Sequence, residues 1–244
     1  MNRGFFITGT DTDVGKTVVT AGLLATLRKR GYDIGLMKPF QTDFIEAERR
    51  LLSPDLEFVL KFVDLETDYD LMNPIRLREP LAPSVAAEVE GVEIDLTKVD
   101  RAYEELLELH QGLIVEGAGG LMVPLAKNFL TPDLVKSFEL PIIIVARPNL
   151  GTINHTVLTV KVARELGIKV LGVIINGLKE AEAGIAEKTN PEVIAELADV
   201  PILGIVPYIE DLDSNADKVD LARIFEENVE IDKITNSLQV TLNI

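Results

Sequence analysis

The 244 residues are enough for one large core and show no linker, so a single domain over 1–244 is expected. The 40 acidic side chains outnumber the 24 basic ones, and a formal charge of -16 repels a phosphate backbone, which argues against a nucleic-acid partner. The lack of cysteine excludes disulfides, thiolate nucleophiles and cysteine-ligated metals. With no signal-peptide pattern and no apolar run long enough to span a bilayer, a soluble cytoplasmic protein without a membrane partner is expected.

In chain order, Gly4–Thr8 reads as a strand, Thr17–Arg30 as an amphipathic helix and Asp33–Lys38 as a second strand. Phe40–Leu52 is irregular and polar and reads as a loop, after which Ser53, Pro54 and Asp55 form a helix start. A helix over Leu96–His110 precedes a strand at Gly112–Glu116. Thr131 has the chemistry of an N-cap and Pro132 that of a first-turn residue, so another helix opens there. Strand Pro141–Ala146, helix Asn154–Leu166, strands Val170–Asn176 and Ile202–Val206, and helix Leu221–Glu227 complete the pattern. Strands alternating with helices predict an α/β fold with a mostly parallel sheet flanked by helices on both faces.

Ligands of such sheets gather beyond the carboxyl ends of the strands. Here those ends carry a glycine-rich loop, Lys38, Glu116 followed by Gly-Ala-Gly-Gly, Arg147 and Asn176. The loop, "GTDTDVGKT" at Gly9 to Thr17, has one residue more between its glycines than the common phosphate loop. Gly15 lets the amides of Val14 to Thr17 turn inward, where with the helix N-terminus they can hold β- and γ-phosphate oxygens. Lys16 adds positive charge and the Thr17 hydroxyl can ligate Mg²⁺, so the fold expected is P-loop NTPase-like. Glu116, at a strand end, is a candidate carboxylate for the metal. Asp55 fits either a second metal carboxylate or a helix cap.

Together with the loop, "KPFQT" (Lys38–Thr42), "REPLAPSVAAE" (Arg78–Glu88), "VEGAGGLMVPL" (Val115–Leu125), "LGTINHTVLT" (Leu150–Thr159) and "IINGL" (Ile174–Leu178) resemble dethiobiotin synthetase, in the same order along the chain. The extra loop residue is characteristic of that family. The resemblance implies a Mg²⁺-dependent reaction with ATP as co-substrate, in which 7,8-diaminononanoate and CO₂ give dethiobiotin, ADP and phosphate in biotin biosynthesis. One amine becomes a carbamate, the γ-phosphate activates it, and the second amine closes the ureido ring.

By the same resemblance, Lys16 and Lys38 are catalytic, stabilising charge on the transferring phosphoryl and the carbamate. Thr17, Asp55 and Glu116 bind Mg²⁺. ATP meets Asp13, Val14, Gly15, Lys16, Thr17, Val18, Asp55, Glu116, Gly117, Ala118 and Gly119, and on the adenine side Asn176, Gly177, Pro207, Tyr208 and Ile209. Thr12 and Thr42 approach the diamine, unless they only stabilise their loops. Leu150, Gly151 and Asn154 take the substrate's carboxylate tail across a homodimer, although Asn154 could instead cap the helix that follows.

Two positions depart from the family pattern: Asp43 stands where many relatives have Gly, and Ser84 where many have His. His110 and His155 read as structural or solvent-facing. Two rivals belong to the same superfamily. Amide-forming ATPases with a glutaminase domain need a cysteine that is absent here. Partitioning-type switch ATPases use an early loop lysine where this chain has Asp11, and they usually end in a membrane or DNA anchor. The C-terminal "DKITNSLQVTLNI" lacks basic charge and a strong amphipathic stripe.

Overall fold

All six residues of Gly4–Gly9 and all five of Ile142–Ala146 are buried, which requires cover on both faces and explains why neither run alternates apolar with polar side chains. In the computed structural model, which describes residues 3–47 and 50–238, these runs are the two central strands of a six-stranded sheet. Its strands are β1 (Gly4–Gly9), β2 (Ile34–Met37), β3 (Gly112–Gly120), β4 (Ile142–Ala146), β5 (Val170–Leu178) and β6 (Ile202–Pro207). They lie side by side in the order β6-β5-β4-β1-β3-β2, and every neighbouring pair is parallel. All six expected strands are present.

β1 lies between β3 and β4, so the chain works on one side of β1 and then crosses to the other. The carboxyl end of β1 is therefore a topological switch point, where a crevice opens. β3 continues beyond the expected end at Glu116, and Gly120 pairs with Gly9 after a register shift. This extension brings the Gly-Ala-Gly-Gly segment against the start of the phosphate loop.

Helix Lys16–Lys29 follows that loop and packs on helix Leu221–Asn228. Their approach depends on Gly22, where a Cβ would lie 2.1 Å from ring atoms of Phe225. Thr26 Oγ1 donates to Ala222 O at 3.1 Å within the same contact. Helices Leu96–Leu109 and Thr152–Glu165 lie close to their expected places.

The segment expected as a loop contains strands. Phe40–Thr42 pairs in parallel with Ile75–Leu77, and Ile45–Ala47 pairs antiparallel with Arg50–Leu52, while residues 48 and 49 lie outside the described residues. Long-range pairing buries Phe40 and Gln41, and local composition carries no sign of it. Helix Thr131–Ser137 starts one residue earlier than expected. Leu130 takes the cap position and donates its backbone N–H to Asp133 Oδ2 at 2.8 Å, while the Thr131 hydroxyl donates to Val123 O. Helices Tyr69–Met72, Pro83–Glu90, Ile185–Ala198 and Ile231–Thr235 go beyond the sequence reading, and Pro191 inside the third of them disguises its period. His110 is held between Asp33 (2.8 Å from Nδ1) and Thr67 (3.0 Å from Nε2), and His155 is exposed. Among the described residues, no helix is long and apolar enough to cross a membrane.

Candidate active site

Between β1 and its helix, the chain turns at Gly15, whose φ of 87° lies in the left-handed region that favours glycine. A Cβ there would also come within 2.0 Å of Asn176 Nδ2. Asn176, on β5, donates that amide to Val14 O at 3.2 Å and so braces the loop from the neighbouring strand. The start of the loop is tied to the sheet by the Thr10 N–H donating to Val145 O at 2.9 Å, and Arg147 pairs with Asp11 at 2.5 Å. Lys16 reaches back over the loop to Asp11 O at 3.3 Å. Burial, and after it the charge of Lys38, pushes the Lys16 ammonium below its ordinary pKa.

Beside the loop, the Lys38 ammonium is enclosed by three acceptors. Its Nζ lies 2.6 Å from Asp55 Oδ2, 2.8 Å from Glu116 Oε1 and 3.0 Å from Gly117 O, which matches its three protons. Lys38 is only 4 % exposed and Glu116 only 1 %. Burial alone would push this ammonium down, but Glu116 and Asp55 override that and hold it well above its usual value. The Thr17 hydroxyl lies 3.0 Å from Glu116 Oε1 and 3.2 Å from Asp55 Oδ1, within donating distance of either. The backbone of Lys38 is fixed as well, its N–H donating to Met72 O and its carbonyl accepting from Asn73 Nδ2 at 2.6 Å.

The alternatives left open for Asp55 separate here. Ser53 caps helix Pro54–Leu60, accepting from the Leu56 N–H at 3.2 Å, while Asp55 turns its carboxylate toward Lys38 and Thr17. Burial tends to raise the Asp55 carboxyl, but the Lys38 charge and hydrogen bond outweigh it and hold the group below its ordinary 3.8.

A hydroxyl and two carboxylates converge on a point already held by a cation, and such hard oxygen donors suit Mg²⁺. Among the described residues, no group of three or more His, Cys, Asp or Glu could hold a metal ion. These donors alone make an incomplete cage, as fits an ion that takes its remaining ligands from phosphate and water.

Thr12, Asp13, Gly15, Lys16, Thr17, Lys38, Thr42, Asp55, Glu116, Ala118 and Gly119 line one cleft of about 390 Å³. Phe40 and Gln41 line it too, although the sequence reading gave them no role. The Val14 side chain instead packs into the core, the half-buried Val18 packs against it, and Gly117 takes part through its carbonyl. Gly177 opens on a separate cleft of about 270 Å³ with Pro148, Asn149, Lys179, Glu182 and Glu187. Tyr208 donates its backbone N–H to Leu178 O and sets its ring 4.8 Å from Lys179 Nζ, so Pro207, Tyr208 and Ile209 run beside β5 near that second cleft.

Leu150, Gly151 and Asn154 line neither cleft. They lie at the exposed start of helix Thr152–Glu165, with Leu150 86 % exposed. Gly151 takes the cap position, so Asn154 is not the cap. Asp43 occupies an exposed turn at φ 59°, which explains an exchange with glycine, since aspartate tolerates that region better than most residues. Ser84 lines a wider cleft of about 770 Å³ with Glu88, Glu93, Lys127 and apolar neighbours, away from the loop.

A parallel sheet with a phosphate loop at its switch point, followed by Gly15-Lys16-Thr17 and faced by a strand-end carboxylate, defines a P-loop NTPase. The profile of the family described as "AAA domain" matches residues 3–216. The ATP-dependent dethiobiotin synthetase of Thermodesulfovibrio yellowstonii is 44 % identical over 237 residues, covering 94 % of this chain and 98 % of that one. The same enzyme of Bacillus velezensis is 41 % identical over 238 residues, covering 98 % and 99 %. This chain belongs to the dethiobiotin synthetase family. Among solved structures, the MinD cell division protein of Aquifex aeolicus superposes with a TM-score of 0.55 at 16 % identity, covering 99 % of each chain. A ParA family ATPase of Chlorobium tepidum does so with a TM-score of 0.55 at 14 % identity, covering 98 % of this chain and 99 % of its own. At such identities the likeness shows the fold alone, and the fold agrees with the one expected from sequence.

The depressed Asp55 carboxyl gives a signed expectation. A group whose folded pKa lies below its unfolded value adds stability above the unfolded value and loses it as pH falls through the folded one. The stability gap between wild type and Asp55→Asn, measured by urea unfolding, should therefore be widest above 3.8 and close as the pH falls below it. A gap that stays constant from about pH 5 to about pH 2 would contradict a depressed Asp55 carboxyl in the folded protein.

Proposed function

We propose that this chain is a single-domain, cytoplasmic, Mg²⁺-dependent enzyme that makes dethiobiotin from 7,8-diaminononanoate, CO₂ and ATP. The observation that carries the reading is the cluster of buried Lys38 and Glu116 with half-buried Asp55 and Thr17 beside a phosphate loop, in a chain whose relatives are ATP-dependent dethiobiotin synthetases.

In this reading, the amides of Val14 to Thr17 and the helix N-terminus hold the β- and γ-phosphates. Thr17, Asp55 and Glu116 would hold Mg²⁺, which supplies charge neutralisation on the phosphate oxygens. Lys16 exchanges the Asp11 carbonyl for a phosphate oxygen. One amine of the substrate bonds to CO₂ and loses a proton, and the resulting carbamate oxygen attacks the γ-phosphorus as ADP leaves. The second amine then attacks the activated carbonyl, and phosphate departs with loss of a proton. The Lys38 ammonium, at the cleft wall, stabilises the negative charge on carbamate and phosphoryl group. Its contribution is electrostatic preorganisation in a site with little water.

A substrate with a carboxylate tail needs a second anchor. The backbone amides and the Asn154 side chain at the exposed start of helix Thr152–Glu165 suit that role, but they line no part of the Lys38 cleft. That separation supports a homodimer in which one protomer's helix start serves its partner's cleft.

Incubation with the diamine, bicarbonate, Mg²⁺ and ATP should yield dethiobiotin by mass spectrometry, with ATP consumption dependent on the diamine. Lys38→Ala should lower kcat by about 10²-fold or more with little loss of ATP binding. ATP hydrolysis indifferent to the diamine, without product, would instead indicate a switch ATPase.

The shared site is tested by subunit exchange between Lys38→Ala and Asn154→Ala. Random reassortment makes half the dimers mixed, each with one intact site, so activity should recover to about a quarter of wild type. Verified mixed dimers without activity would place Asn154 outside its partner's site.

A further inference from the structure

Gln41 has no part in the phosphate or metal chemistry described so far, yet it is 6 % exposed and hydrogen-bonded at both its oxygen and its nitrogen. Its Oε1 accepts from Ser53 Oγ at 2.5 Å, and its Nε2 donates to Thr42 O at 2.6 Å. Ser53 is 0 % exposed, caps the helix that carries Asp55, and donates its backbone N–H to Tyr69 Oη at 2.7 Å. The contacts close a ring. From Lys38 the chain runs to Gln41, a hydrogen bond crosses to Ser53, the chain continues to Asp55, and the 2.6 Å ion pair returns to Lys38.

Asp55 is the more weakly held of the two carboxylates. Glu116 sits on an interior strand of the sheet and is almost wholly buried, whereas the Asp55 side chain is 31 % exposed and starts a helix only seven residues long. A short helix contributes little stability of its own, so its position is set by what holds its ends. The first end is held by the hydroxyl and backbone N–H of Ser53, and Gln41 links that residue to the strand that follows Lys38.

We infer that Gln41 is a positioning residue which, through Ser53, fixes the Asp55 carboxylate where it can ligate the divalent cation. The inference rests on the Mg²⁺ reading above. Groups that orient a ligand from behind are commonly worth about 10- to 100-fold in metal affinity. Gln41→Met keeps the length of the side chain and removes the acceptor for Ser53. Ser53→Ala removes the same bond from its other side, together with the cap on the Leu56 N–H.

The test uses Mn²⁺ as the probe, with free Mn²⁺ counted by electron paramagnetic resonance in the presence of a non-hydrolysable ATP analogue. Gln41→Met and Ser53→Ala should each weaken Mn²⁺ binding at least about tenfold, and the double variant should be no weaker than the weaker single variant, since the Gln41–Ser53 bond is what the two have in common. Nucleotide affinity without metal should stay at the wild-type value. In turnover, the Mg²⁺ concentration for half-maximal rate should rise by a larger factor than kcat falls.

Wild-type Mn²⁺ affinity in both variants, even with a lowered thermal midpoint, would reduce the bond to a purely structural one and overturn the inference. So would a double variant weakened about a hundredfold, because the two residues would then act independently. If wild type itself binds no Mn²⁺ with the nucleotide analogue, the metal reading fails and takes this inference with it. Should Gln41→Met not fold, Gln41→Leu, which also removes the acceptor and leaves the Ser53 cap in place, decides.

Discussion

An ammonium group buried at the edge of a sheet is costly unless every proton finds an acceptor and the charge is matched. Lys38 meets that condition through Asp55, Glu116 and the Gly117 carbonyl, and much of the local architecture follows from it. Glu116 must stand on strand β3 between β1 and β2, helix Pro54–Leu60 must start against the phosphate loop, and Asn73 must hold the Lys38 backbone from behind. Replacement of a buried ion pair by apolar side chains is often neutral or stabilising, so stability alone gives weak reason to keep this one. The proposed role, a site that receives a divalent cation and several phosphate charges, gives a stronger one. In the proposed chemistry, the lysine keeps the carboxylates apart and matched until the metal and nucleotide arrive.

The second constraint is close packing around the phosphate loop. Gly15 admits the Asn176 carboxamide, which binds the Val14 carbonyl and couples the loop to β5. β5 also leads to Gly177 and Lys179, and the latter stacks against Tyr208 beyond β6. The end of β5 thus braces the phosphate loop through Asn176 and lines the second cleft through Gly177, an arrangement suited to a ligand with a phosphate tail and a flat base. The family's adenine contacts are proposed at that second cleft.

The legible parts of the fold were those in which chemistry is local. Buried parallel strands are continuous apolar runs of aromatic and β-branched residues, so Phe5-Phe6-Ile7 and Ile142-Ile143-Ile144 stand out, and the loop carries its turn in its own glycines. Lys38, Glu116 and Asn176 were visible as polar residues that end apolar runs. Strand Phe40–Thr42 was not legible, because its partner, Ile75–Leu77, lies far along the chain. Gln41 went unassigned for the same reason, since its burial depends on that pairing and on Ser53. Asp55 stayed ambiguous because an acidic residue in a helix's first turn looks the same whether it serves the helix or a ligand. Only the Ser53 cap and the Lys38 contact separate the two.

The central claim is that Lys38 holds the place of a cation between Asp55, Glu116 and Thr17. A crystal structure with Mg²⁺ and a non-hydrolysable ATP analogue tests it most directly. The account predicts Mg²⁺ with oxygen ligands at about 2.1 Å, held by the Thr17 hydroxyl and by the two carboxylates directly or through water. It also predicts that Lys38 Nζ will have left its 2.6 Å contact with Asp55 and turned toward the γ-phosphate. Mg²⁺ bound to the phosphates alone, with Lys38 still bridging Asp55 and Glu116, would contradict it.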